Sequence, residues 1–283
     1  MPSRARERQL AKLAARRQAE RRAARRRHSL IIWGTVAGIA IVGMIVVGAL
    51  FFGGNDQSTA ASGTPTASAT PSGKPGTQTG TVQPTPAPAT VACGGSAPKT
   101  ATQPKPQFAG PPPMKIDPKA TYTATFDTSC GKIVVELDPT TAPQTVNSFV
   151  FLAGKGFFDG QYVIRLDTSI DVIQAGDPTG TGGGGPGYTI PDELTGNESY
   201  TPGVLAMANG GPNTGGSQFF LITGPNGKNL DANPAYTIFG KVVEGLAVAQ
   251  KIQQLPIQDP STGMAGQRPT DAIYFDSVTV KKS

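Results

Sequence analysis

Along the chain the spacing of apolar and polar residues changes character twice. From Leu30 to Phe52 run 23 residues without a charge, LIIWGTVAGIAIVGMIVVGALFF. As a helix rising about 1.5 Å per residue this run reaches roughly 34 Å, enough to cross a bilayer core of about 30 Å. A transmembrane helix is therefore expected over 29–52. A cleaved signal peptide fits less well, because its apolar region is normally about 7 to 15 residues with a small-residue cleavage site close behind. From Gly53 to Pro113 the periodicity disappears: 21 of 61 residues are Gly or Pro and four are charged. A segment so poor in apolar surface cannot build a core of its own, and a flexible linker is expected over 53–113.

Beyond it the pattern becomes that of one folded domain over 114–283. Thr121 to Asp127 and Lys132 to Leu137 alternate apolar and polar residues around a TSCG turn, which predicts a hairpin. Thr140 or Thr141 is placed to cap a helix with Pro143 in its first turn, and Val146, Phe149, Val150 and Ala153 follow at helical spacing. Further strands are expected at 162–166, 172–175, 203–208, 218–223, 237–243 and 272–281, with a second helix through Val248, Ile252 and Leu255. Eight short strands and two helices predict a mainly β domain, a closed eight-stranded antiparallel β-barrel capped by two α-helices.

Charge is distributed unevenly. Residues 1–28 hold eleven basic and two acidic groups, whereas 114–283 hold eleven basic and sixteen acidic ones. The formal net charge of +6 thus describes a basic arm and not a basic globular surface, so no nucleic-acid partner is expected. Arg25, Arg26 and Arg27 abut the apolar run, and its other flank carries only Asp56. The excess of positive charge predicts a single-pass cell-membrane protein with the arm in the cytoplasm and the C-terminal domain outside. Gly34 and Gly38 form a GxxxG pair of the kind common in such helices.

Several chemistries are excluded by what is missing. The one histidine, His28, lies in the arm, which removes a histidine base and a His-ligated metal from the domain. No metal and no cofactor is expected. Two cysteines, Cys93 and Cys130, are too few for a disulfide-dense scaffold. In an oxidising compartment they are expected to pair, closing a loop at a gain on the order of 3 to 4 kcal/mol; the alternative is two unpaired surface thiols. The run GTGGGG at 180–185 matches a dinucleotide-binding glycine pattern letter by letter, but Pro186 and Gly187 follow where a helix should start, so a glycine loop is expected. The adjacent Asp192 and Glu193 point apart in any regular structure and read as solvated loop charges rather than a hydrolytic pair. Arg165, inside the apolar stretch YVIRL, is either a structural ion-pair partner or the rim of a site.

The segments GKIVVELDPTTAPQTVNSFVFLA, QAGDPTGTGGGGPGYT, LAMANGGPNTGGSQFFLIT and YTIFGKVVEGL, in this order between Tyr122 and Lys281, resemble the cyclophilin family of peptidyl-prolyl cis-trans isomerases, and more narrowly its membrane-anchored bacterial members. The resemblance implies an enzyme that accelerates rotation about X–Pro bonds in unfolded or flexible polypeptides outside the membrane, as a folding catalyst acting through a monomeric domain. It maps the family's essential arginine onto Arg165 and the groove glutamines onto Gln174 and Gln218. It places the floor of the proline pocket at Phe220, walls at Val172 and Leu230, peptide-backbone contacts at Ala208 and Asn209, and a groove residue at Tyr236. This chain departs from the family where Ile164 stands before the arginine in place of histidine, and where RLDTSIDVIQ is one residue longer than the family pattern, with Ile170 or Asp171 at an aromatic position. It departs again at Asn229, where members that bind cyclosporin carry tryptophan. The altered wall leaves a second reading open, a proline-peptide binding module or holdase with little turnover.

Overall fold

The structure is a computed structural model and describes residues 74–283. The basic arm, the apolar run at 29–52 and the first part of the linker lie outside the described residues. Among those described, no helix is long and apolar enough to cross a membrane.

Ten strands follow one another along this part of the chain: β1 (Gln78–Val82), β2 (Lys105–Phe108), β3 (Tyr122–Thr128), β4 (Gly131–Leu137), β5 (Arg165–Asp167), β6 (Val172–Ala175), β7 (Val204–Met207), β8 (Phe219–Ile222), β9 (Ile238–Glu244) and β10 (Phe275–Lys282). Two helices, α1 (Pro143–Ala153) and α2 (Leu246–Gln253), complete the set. Each of the eight strands expected in the domain is present within a few residues. They form one sheet in the order β10-β3-β4-β9-β7-β8-β6-β5, with every pair antiparallel.

The sheet curls but does not close, which corrects the expected closed barrel to a half-barrel. Its outer strands β10 and β5 share no ladder; the two ends meet through an isolated bridge, Tyr162 with Tyr274, and through single bonds such as Val163 N–H to the Ile273 carbonyl at 2.9 Å. The physical reason is the length of β5. It has only three residues, and the bonds that reach across are made instead by Gly160 to Val163, the irregular stretch that precedes it.

Side-chain alternation assigns the two faces. On β3 and β4, Tyr122, Ala124, Phe126, Ile133, Val135 and Leu137 point into the main core. There Phe126, Phe149 of α1, Phe158, Phe219 and Phe275 form a ring cluster with centroids 5.0 to 6.0 Å apart, the spacing at which aromatic pairs attract beyond their area burial. Pro143 opens α1, where its missing N–H costs nothing. Neither Thr140 nor Thr141 caps this helix: the N-cap position falls on Ala142, and the Thr140 hydroxyl donates to the Pro118 carbonyl at 3.0 Å. The cap comes from Glu193, 48 residues on: its carboxylate accepts from Gln144 N and Thr145 N, both at 2.9 Å, and from Thr145 Oγ1 at 2.8 Å. A carboxylate on the second and third N–H groups of a helix contributes about 1 kcal/mol. Glu193 is thus a helix cap rather than the solvated charge expected of it.

Residues 74–113 differ from the expected linker. β1 and β2 pair into a small sheet, Ala92, Lys105 and Phe108 are buried, and the Phe108 ring packs 4.9 Å from that of Phe151 on α1. Lys105 Nζ donates to the carbonyls of Thr100 and Asp159, and desolvation pulls its pKa below the usual lysine range against the opposing pull of Asp159. The expected disulfide is present, joining Cys93 to Cys130 in the β3–β4 turn. Composition misleads here because the segment needs no core of its own. Backbone bonds to an existing surface and one covalent tie are enough to order a proline-rich chain, whose prolines leave few donors to satisfy.

Candidate functional site

Strand register builds the site on the face of the sheet opposite the main core. Arg165 lies across from Gln174, Gln174 from Phe220, Phe220 from Ala206, and Ala206 from Ile238. Cross-strand partners share a face, so these five side chains form one row over β5, β6, β8, β7 and β9. The next row adds Asp167, Val172 and Ile222. The intervening residues Leu166, Ile173, Leu205, Phe219 and Leu221 point the other way, into the core.

Apolar members of the two rows make a separate cluster. Val172, Tyr200, Val204, Ala206, Phe220 and Ile222 are buried in it, and Ile170, Ala208, Leu230, Tyr236 and Ile238 pack partly exposed around them. The Phe220 and Tyr236 rings meet edge to face at 5.1 Å. Of the residues the resemblance implied, Val172, Ala208, Phe220, Leu230 and Tyr236 are therefore brought together. The one-residue insertion is resolved in favour of Ile170. Asp171 takes a left-handed conformation (φ 50°), its carbonyl accepts from Thr223 N at 2.8 Å, and its carboxylate accepts from Asn226 N at 2.8 Å. The extra residue bulges away on these bonds, leaving the Ile170 side chain in the apolar wall.

Polar members form a connected chain. Arg165 Nη1 donates to Gln174 Oε1 at 3.2 Å, Gln174 Nε2 donates to Gln218 Oε1 at 3.0 Å, and Gln218 Nε2 donates to the carbonyls of Gly182 and Gly184 at 3.0 and 2.9 Å. This gives the glycine run its use: backbone carbonyls come close to a side chain because nothing projects from the loop. A methyl group at Gly184 would lie 2.0 Å from Asp177 Oδ1. The loop is held from behind by the N-terminal segment, with Gln107 Nε2 donating to the Gly185 carbonyl at 2.8 Å and Phe108 N to Pro186 O at 2.9 Å.

Arg165 is the ion-pair partner its sequence context allowed, and it stands at the end of the row. Its Nη2 is paired with the Asp167 carboxylate, two residues along the same strand and hence on the same face, and its side chain stays 21% exposed beside the row. Asp167 is itself held by Ser169 N at 2.9 Å and Ser169 Oγ at 2.6 Å. Asn209 stands apart from the cluster. Its amide donates to Asp192 Oδ1 at 3.3 Å and to the Ala235 carbonyl at 2.7 Å, so only its backbone is free to meet a peptide. Asp192, expected as a solvated charge, fixes this loop, accepting also from Asn213 N at 2.8 Å.

Three residues escaped the sequence reading. Tyr200, fully buried, donates to the Tyr236 carbonyl at 2.9 Å and accepts from Tyr236 N at 3.0 Å, locking that residue against Phe220; burial pushes its phenol pKa up. Gln267, at the end of a 3₁₀ segment over Pro260–Gln267, accepts from Arg165 Nε at 2.6 Å. Nothing in the polar stretches around these two marks them. Asp167 did carry a signal, an acid at i+2 from an arginine in an apolar strand.

Among the described residues no three His, Cys, Asp or Glu side chains converge to hold a metal ion. The face offers a cation with unused donors beside a partly exposed apolar surface. That can bind a carbonyl and an amide nitrogen next to an apolar ring, and it contains no nucleophile–base pair.

A family model described as cyclophilin type peptidyl-prolyl cis-trans isomerase matches residues 123–280. Peptidyl-prolyl cis-trans isomerase A of Mycobacterium tuberculosis is 38% identical over 179 residues, which cover 58% of this chain and 94% of that protein. Peptidyl-prolyl cis-trans isomerase B of Bacillus subtilis is 46% identical over 122 residues, 43% of this chain and 82% of its own length. Among solved structures, a cyclophilin type peptidyl-prolyl cis-trans isomerase of Cryptosporidium parvum, crystallised in the presence of the dipeptide Ala-Pro, is 28% identical with a TM-score of 0.50, covering 57% of this chain and 99% of that one.

Proposed function

Since the chain belongs to the cyclophilin-type peptidyl-prolyl cis-trans isomerases, we propose that Arg165 is the residue through which it accelerates X–Pro rotation, with the proline ring seated on the Phe220 face. The planar X–Pro amide is held by delocalisation of the nitrogen lone pair, and its rotation barrier is about 20 kcal/mol. As the bond twists, the nitrogen becomes pyramidal and recovers that lone pair. A fixed donor at the nitrogen then binds the twisted state more strongly than the planar one, which lowers the barrier. The same guanidinium can hold the proline carbonyl. No bond is broken, so neither nucleophile nor cofactor is required.

The observation that carries this reading is the shared row: register puts Arg165, Gln174 and Phe220 side by side on one face. Val172, Leu230 and Tyr236 would flank the ring, Gln218 would support Gln174, and Ala208 with the Asn209 backbone would align the peptide. Substrates would be proline-containing flexible polypeptides, a class in keeping with the Ala-Pro dipeptide used with the Cryptosporidium relative.

A second reading draws on the ion pair. Asp167 offsets part of the Arg165 charge, which suits a proline-peptide binding module or holdase better than a fast enzyme. Exchange NMR on a short X–Pro peptide separates the two. With the full-length chain at substoichiometric concentration, cis–trans exchange is expected to speed up; binding shifts without faster exchange would favour the module.

The proposal extends to place. The uncharged run at 29–52 would anchor the chain in the cell membrane as a single-pass protein, with the arm at 1–28 cytoplasmic and the domain, acting as a monomer, outside. Support comes from the arginines beside the run and from a disulfide, which persists in oxidising compartments. A reporter fused after Gly54 is expected to read outside the cytoplasm, and cytoplasmic labelling would overturn the orientation.

A further inference from the structure

The Arg165 guanidinium carries five N–H donors in one plane. Three acceptors engage it, one on each nitrogen: Gln267 Oε1 on Nε at 2.6 Å, Gln174 Oε1 on Nη1 at 3.2 Å and the Asp167 carboxylate on Nη2. They arrive from three parts of the fold, namely a late loop, the neighbouring strand and the arginine's own strand. One donor on each terminal nitrogen is left, the number needed for a proline carbonyl and a prolyl nitrogen.

We propose that Gln267 is a positioning residue for the isomerase reaction, its side-chain carbonyl fixing the plane of the Arg165 guanidinium. This rests on the reading of Arg165 given above. Contacts on Nη1 and Nη2 alone define a line about which the plane can hinge. A third contact on Nε, at the opposite end of the group, removes that freedom. Gln174 and Asp167 are delivered by local strand geometry, whereas Gln267 is 102 residues away in sequence and makes no other hydrogen bond that would explain its place.

The loop that presents it is built to be stiff. Its neck is closed by Gln258 N to Arg268 O at 2.9 Å, by Thr270 N to Pro256 O at 2.9 Å and by the bridge between Ile257 and Pro269. Inside, Asp259 Oδ1 accepts from Ser261 N at 3.0 Å and from Ser261 Oγ at 2.7 Å. Gly266, beside Gln267, is packed against the loop's start, and a methyl group there would sit 1.5 Å from the Asp259 carbonyl oxygen. Any side chain at 266 must therefore shift the loop that carries Gln267. A donor that stabilises a twisted substrate amide works only if its direction is held, and a misplacement of about 1 Å can cost up to roughly 10²-fold in rate.

The test uses the full-length chain and exchange NMR on an X–Pro peptide. Gln267→Ala is expected to lower kcat about 10-fold while KM stays within about twofold. Gln267→Glu, which keeps an acceptor oxygen in reach, is expected to restore most of the loss. Gly266→Ala should reproduce the deficit, and the double variant G266A/Q267A should be no slower than either alone, since both act through one contact. The Arg165 Nε–H resonance should exchange slowly with water in the unaltered protein and rapidly in Gln267→Ala. Wild-type kcat in Gln267→Ala, with Arg165→Ala inactive, would overturn the positioning role and leave the reading of Arg165 standing. Full activity in Arg165→Ala would instead overturn that reading and this inference together. A rapidly exchanging Nε–H in the folded, unaltered protein would overturn the positioning role without any variant.

Discussion

Arg165→Ala is expected to lower kcat/KM for X–Pro isomerisation by about 10²- to 10³-fold, the usual loss when a preorganised donor at a developing charge is removed. The variant has a second consequence that must be separated from the first. Asp167 is 3% exposed, and without Arg165 its carboxylate is left buried with only the two donors of Ser169. Stranding one partner of a buried pair destabilises by about 3–5 kcal/mol, and the Ser169 bonds put this case at the low end. Arg165→Ala combined with Asp167→Asn removes the stranded charge. The double variant should regain most of the thermal midpoint and none of the activity, as followed by calorimetry and exchange NMR. Activity returning with stability would mean that Arg165 serves the fold and not the reaction. Arg165→Lys is no rescue, because a single ammonium cannot face three acceptors and still present two donors to a substrate.

Cys93→Ser with Cys130→Ser is expected to lower stability by about 3 to 4 kcal/mol, from the 37-residue separation that the bond closes. For a folded unit of this size that corresponds to a fall of roughly 6–16 °C in the thermal midpoint. The loss should begin locally. The bond ties the segment over 74–113 to the β3–β4 turn, close to where Ala92 N donates to Ala272 O at 2.9 Å. Freed at that point, the segment should become the first site of protease cleavage, and its bonds to the glycine loop through Gln107 and Phe108 should loosen with it. Scanning calorimetry with and without a reductant, read beside limited proteolysis, checks both parts. An unchanged midpoint and an unchanged cleavage pattern after reduction would show that the segment is held by its noncovalent contacts alone.

Much of this was legible because it is local. A period of two in Thr121 to Asp127 and Lys132 to Leu137 reports a sheet with one buried face, and β3 and β4 follow it residue for residue within one position. Val172–Ala175 coincides with β6. The family resemblance pointed to Arg165, Gln174 and Phe220, and register then put the three on one row. What could not be read depends on groups far apart in sequence. The α1 cap is supplied by Glu193 in place of the nearby threonines, and Tyr236 is locked by Tyr200. A choice between Ile170 and Asp171 for the wall needed the left-handed turn at Asp171.

Composition and periodicity therefore determined the element types and the separation of a basic arm and an uncharged run from a mildly acidic domain, and the resemblance of its motifs to a family pointed to the arginine. Tertiary structure decided that the sheet stays open, that a proline-rich stretch folds onto it, and that the arginine is gripped at all three nitrogens. The reason is one of range: a residue's preference for strand or helix is set within a few neighbours. Edges, clasps and grips are instead set by which distant backbone and side-chain groups satisfy one another once the chain has closed on itself.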